Sequence, residues 1–274
     1  MSRPRIGVSG PDLGGLVAWA FTWLAIRRAG GRAVRITPRR PRPVSELDGL
    51  VIGGGVDVAE SLPADDQPLD ASRPWYRRLW FRLSVPFRMV LRWLFRLRSS
   101  ESSGDVARDR LEATLLRAAR REDVPTLGIC RGCQLMARIE GGALSLDVGQ
   151  RHPDREALWT PFPARAVTVE PRSALFEALG GAEHCVNALH RHAVGSVPAP
   201  MRIVARETKA PIAQGIEHPA RTFWIGVQWH PEYLPQSAAQ RRLFAKLVEA
   251  AVAHRDRAKR ERRAREPTAR AIAR

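Results

Sequence analysis

Short apolar runs alternate along the chain with longer stretches of helical periodicity, the pattern of strands and helices taking turns in an α/β domain. Residues 5–9 (RIGVS), 33–37 (AVRIT), 50–52 (LVI), 124–129 (VPTLGI) and 164–171 (ARAVTVEP) read as strands, and TFWIGVQWHPEYL at 222–234 opens on another. Between the first two strands, residues 16–26 (LVAWAFTWLAI) read as a buried helix closed by Gly30 and Gly31. That run is too short to cross a bilayer, which takes about 20 residues. Arg3 and Arg5 precede it, but no small-x-small cleavage site follows. Residues 105–121 place Leu111, Leu115 and Ala118 on one face of an amphipathic helix. Residues 134–139 begin another helix, 143–161 read as a loop region, and a last helix spans about Ala238 to Ala253. The predicted architecture is a doubly wound, mostly parallel sheet flanked by helices, with its site at the C-terminal ends of the strands.

The pattern breaks between the third strand and residue 104. An acidic spacer leads into SRPWYRRLWFRLSVPFRMVLRWLFRLRSS, where Arg88, Arg92 and Arg96 share one helical face and Trp80, Phe81, Phe87 and Trp93 supply an apolar one. Pro86 divides the stretch into two helices. This is the composition of an interfacial helix on an anionic membrane; packing on the parent domain or across a homodimer is the alternative. The expected organisation is a domain over 1–252, an insertion at 61–104 within it, and a basic tail at 253–274.

Charge changes little once it is mapped. The formal net charge is +17, but 73–98 hold eight arginines and no acid, and 253–274 hold nine basic residues against three acids. The basic character belongs to these two appendages, which argues against nucleic acid as a partner for the body of the protein. The tail lacks an apolar stripe and is expected to extend the last helix and then fray. Three cysteines at irregular spacing, Cys130, Cys133 and Cys185, describe no disulfide framework and favour a reducing, cytoplasmic setting. Any membrane attachment would then be peripheral, on the inner face.

The chemistry concentrates at three places. Cys130 stands at a strand-to-helix corner with Gly128 and Gly132 two residues away on either side, the glycine spacing of a nucleophile elbow. There the amides of a helix start favour a reactive thiolate. Cys130 and Cys133 also form a C-x-x-C that fits a redox pair, and a plain core cysteine is the third reading; no second cysteine pair completes a four-ligand metal site. Gly53, Gly54 and Gly55 follow a strand directly, as half of an oxyanion hole would, the amide after Cys130 being the other half; a flexible turn is the alternative. His230 and Glu232, two apart in an extended segment, project to one side, so the carboxylate can orient the imidazole as a base. On a surface turn the same pair would be an ordinary salt bridge.

Together GGG at 53–55, GICRG at 128–132 and GVQWHPE at 226–232 resemble the class I glutamine amidotransferase-like superfamily. CVNALHRHAV at 185–194 and IAQGIEHPARTFWIGVQWHPE at 212–232 are similar to its gamma-glutamyl-gamma-aminobutyrate hydrolase branch. The resemblance implies hydrolysis of a small gamma-glutamyl amide through a glutamyl thioester, without metal or cofactor. It makes Cys130 the nucleophile, His230 the base and then acid, and Glu232 its orienter. Gly54 and Arg131 would supply the oxyanion amides, and Gly55, Gln134, His190 and His192 would help line the substrate site. The chain departs from the family where His190, Arg191 and His192 replace a common His-His-Gln, where no proline opens the glycine loop, and at Cys133. A non-catalytic membrane scaffold and an amidotransferase subunit that supplies ammonia are the other functions open to it.

Overall fold

Strands covered on both faces need apolar side chains on both, and the centre of the sheet obeys this. The computed structural model describes residues 2–54, 106–145, 160–190 and 192–272; the insertion at 61–104, Gly55, Arg191 and most of the expected 143–161 loop lie outside them. β1 (Arg5–Ser9) pairs in parallel with β2 (Arg32–Ile36) and β3 (Gly49–Ile52). β3 continues in parallel to β4 (Thr126–Ile129), and β4 to β11 (Trp224–Val227). All four residues of β3, of β4 and of β11 are buried. Side chains alternate between two cores: Val51, Leu127, Ile129, Ile225 and Val227 enter one, while Leu50, Ile52 and Trp224 enter the other.

Each core is closed by helices, so the α/β architecture with helices on both faces is as the sequence predicts. On the first face lie Ile26 of α1 (Leu16–Arg28), Leu175 of α4 (Ala174–Leu179) and Leu243, Phe244 and Leu247 of α5 (Ala238–Ile272). The second face is covered by Leu115, Leu116 and Ala119 of α2 (Val106–Arg121) and by Met136 and Ala137 of α3 (Arg131–Ile139).

Beyond β11 the sheet changes direction. β10 (Ala213–Glu217), β9 (Arg202–Glu207), β6 (Thr160–Val169) and β7 (Glu183–Ala188) extend it as an antiparallel wing. β5 (Ala143–Ser145) and β8 (Ala193–Ser196) form a separate ribbon.

Two expectations need correction. The apolar run of α1 is a surface helix and not a buried one: Thr22 and Ile26 are its buried residues, and Trp23 remains 39% exposed beneath the Arg27 guanidinium, 5.4 Å from the ring. One face suffices for packing, and the cation caps the aromatic ring on the other. The C-terminal tail extends the last helix as expected, but does so as far as Ile272, where fraying is expected. Its first exposed turns are tethered, His254 to the Glu122 carbonyl, Arg255 to the Ser2 carbonyl and Arg257 to Asp123. No described helix is long and apolar enough to cross a membrane.

Candidate active site

The Cys130 corner is strained. Cys130 has φ 51° and ψ −104°, a conformation uncommon for a residue with a Cβ. Surrounding bonds hold it there: its amide donates to the Val227 carbonyl at 2.8 Å, and its own carbonyl accepts from the Gln134 amide at 3.1 Å, opening α3. The flanking glycines permit close approach. A Cβ on Gly128 would lie 2.8 Å from the Gly132 carbonyl carbon, and one on Gly132 would collide with the Ile52 carbonyl.

His230 reaches this corner from the end of β11, but by a turn and not by extended chain. Pro231–Tyr233 form a 3-10 turn, which corrects the expectation that strand alternation aligns His230 with Glu232. The turn curls the carboxylate back so that His230 Nδ1 donates to Glu232 Oε1 at 2.8 Å, with both side chains buried. Burial alone would lower the pKa of the ring. The charges of the Glu232 carboxylate and of the Cys130 sulfur, with the hydrogen bond to Glu232, outweigh it and push His230 up to about 10. Nε2 has no hydrogen-bond partner of good geometry among the described residues. Tyr233 stacks on the imidazole with ring centroids 5.3 Å apart and an interplanar angle of 18°. Its phenol is held above the ordinary tyrosine range by burial and then by the charges of Glu232 and Cys130, so it stays neutral.

Asn187 on β7 fixes the backbone of His230. Its Oδ1 accepts from the His230 amide at 2.9 Å and its Nδ2 donates to the His230 carbonyl at 2.8 Å. Gln228 adds a contact to the sulfur itself, Nε2 to Cys130 Sγ at 3.6 Å. These two residues were invisible as site residues in sequence, although Gln228 stands two places before His230 in the same motif. Gln134 donates to the Gln228 Oε1 at 3.3 Å and to the His192 carbonyl at 3.0 Å. His190 Nδ1 donates to that same carbonyl at 3.1 Å, leaving its Nε2 to accept from Gln214 at 3.2 Å. Gln134, His190 and His192 are thus linked to Cys130 through Gln228, His192 by its backbone oxygen.

Gly54 packs against the imidazole, where a Cβ would fall 2.5 Å from His230 Cε1. The Gly53 amide is already used, donating to Ser9 Oγ at 3.1 Å. Arg131 turns its side chain away from the elbow to Glu112 and Asp109. Cys133 is buried in the second core beside Met136, and burial raises its thiol well above the usual cysteine range. That is the environment of a small apolar residue more than of a resolving thiol. Among the described residues no His, Cys, Asp and Glu cluster could hold a metal ion. A cavity of about 330 Å³ between α1, the 231–233 turn and α5 touches Glu232 from behind.

The family model of Peptidase C26 matches residues 94–232. The chain belongs to the Peptidase C26 family. Members of this class I glutamine amidotransferase-like group are similar to it over much of their length. One from Mycobacterium tuberculosis, provisionally described as a glutamine amidotransferase, is 30% identical over 265 residues, 92% of this chain and 72% of the relative. The gamma-glutamyl-gamma-aminobutyrate hydrolase PuuD of Escherichia coli is 29% identical over 166 residues, 56% of this chain and 64% of that one. The fold resembles that of a solved Thermoplasma acidophilum protein, provisionally described as a GMP synthase subunit, with TM-score 0.59, 19% identity, and coverage of 94% of this chain and 99% of the other. Across the Peptidase C26 match, the Cys130 elbow and the His230 turn are both included.

Proposed function

We propose that this Peptidase C26 protein hydrolyses a gamma-glutamyl amide to glutamate and an amine. The observation that carries the proposal is the convergence of Cys130, His230 and Glu232 at the end of the parallel strands, with a protonated imidazole beside the sulfur. In this reading the Cys130 thiolate attacks the gamma-carbonyl, and the C=O electron pair moves to oxygen, which the Gly54 and Arg131 amides stabilise. The intermediate collapses as His230 gives its proton to the departing amine, leaving a glutamyl thioester. Neutral His230 then takes a proton from water; the hydroxide adds to the thioester, and collapse expels the thiolate with glutamate. Glu232 keeps Nδ1 protonated throughout and offsets the imidazolium charge.

The test is glutamate release by wild type and Cys130→Ala from a panel of gamma-glutamyl amines that includes glutamine. Release that vanishes in the variant supports the reading; no release from any member would reject it. The 30% identity to a relative provisionally described as a glutamine amidotransferase supports a second reading, a glutaminase supplying ammonia to a separate synthetase. Turnover of glutamine in preference to every other amide, stimulated by a partner, would select it.

A further inference from the structure

Glu112 is a fully buried carboxylate midway along α2, on the side of the sheet opposite α5. A buried charge is unfavourable unless it is paired on several sides, and the partners of Glu112 come from three separate parts of the chain. Arg108 Nε donates to its Oε1 at 2.7 Å, Ser9 Oγ donates to the same oxygen at 2.8 Å, and the Arg131 guanidinium pairs with Oε2.

Each partner leads on to the candidate active site. Ser9 Oγ accepts from the Gly53 amide at 3.1 Å. Arg108 also donates to the carbonyls of Gly53 and Gly54, at 3.0 and 3.4 Å. Arg131 is the residue directly after Cys130. One carboxylate therefore ties the glycine loop on one strand end to the elbow on the next. An ordinary helix-stabilising pair would need Arg108 alone.

We propose that Glu112 is a positioning residue that holds the Gly54 and Arg131 amides in register, so that both can meet one oxygen of the reacting carbonyl. The inference rests on the thioester reading above. A shift of about 1 Å in such donors lowers turnover about 100-fold, and it weakens the tetrahedral intermediate more than the bound substrate.

The experiment compares wild type, Glu112→Gln and Ser9→Ala. Substrate is gamma-glutamyl-p-nitroanilide, and the probe is 5-oxopentanoate, an aldehyde that the thiol converts to a hemithioacetal. In that step the S–C bond forms, the carbonyl π bond breaks, and its oxygen takes up a proton. For Glu112→Gln, kcat should fall roughly 30- to 100-fold with KM within about twofold, and aldehyde affinity should fall in parallel with kcat/KM. Ser9→Ala, which cuts one link to Gly53, should lose less in the same ratio. Alkylation of Cys130 by iodoacetamide, which needs no oxyanion hole, should stay near the wild-type rate in both. Wild-type kcat and aldehyde affinity in Glu112→Gln would overturn the proposal. So would parallel loss of alkylation, substrate binding and thermal stability in both variants, the mark of a merely structural role. Failure of the underlying reading looks different: wild type itself would release no p-nitroaniline and bind no aldehyde.

Discussion

Asn187→Leu should loosen the candidate active site without touching any reacting atom. Asn187 is 1% exposed and makes two hydrogen bonds to the backbone of His230, at 2.9 and 2.8 Å. Leucine fills nearly the same volume, so no cavity opens, but it can neither donate nor accept. The His230 amide and carbonyl are then left buried and unpaired, and each such group is unfavourable by about 1–3 kcal/mol. The combined loss should be about 2–5 kcal/mol, since the added apolar contact returns part of it. The second consequence is kinetic. Once the clamp is gone, the 231–233 turn no longer fixes where the imidazole points, and kcat/KM should fall roughly 100-fold. Urea unfolding at fixed pH measures the first effect, and glutamate release from the best gamma-glutamyl amide measures the second. Iodoacetamide alkylation of Cys130 verifies that the elbow is intact. Unfolding within about 0.5 kcal/mol of wild type, together with unchanged turnover, would refute the idea that this amide holds His230 in place.

Three further outcomes follow from the same geometry. Gly54→Ala puts a methyl 2.5 Å from His230 Cε1, so the ring must move; kcat should drop at least about tenfold with KM nearly unchanged, and wild-type kcat would show that the loop yields freely. His230 is raised in the folded state from 6.5 to about 10, so its stabilising contribution is complete below about pH 6.5 and is lost as pH rises through about 10. The unfolding midpoint of wild type should therefore decline more steeply between pH 7 and 10 than that of His230→Gln, and parallel curves would contradict the assignment. For the segment 73–98, with eight arginines and no acid, flotation on anionic vesicles should be lost when it is deleted; equal flotation with and without it would remove the membrane from consideration.

The sequence alone determined the parallel centre of this protein and the three motifs at its strand ends. β1, β3, β4 and β11 are buried on both faces, so each is a run of apolar residues that local pattern reveals, and the glycines at 128 and 132 mark the elbow because only close approach requires them. The motif residues were legible because their chemistry is concentrated in a few neighbouring positions. What only the tertiary structure decided is the support around them. β7, β9 and β10 carry mixed polar and apolar residues in short runs, with a register irregularity at Gly215, and they become strands by pairing with the growing sheet edge. The i, i+2 spacing of His230 and Glu232 was visible, yet a 3-10 turn and not a strand brings them together. Asn187 and Glu112 are separated from the residues they hold by long stretches of chain, and a hydrogen bond between distant segments leaves no periodic trace in sequence. A buried polar group finds its partner only when the fold closes around it, and so the reacting groups could be read from local pattern while the groups that aim them could not.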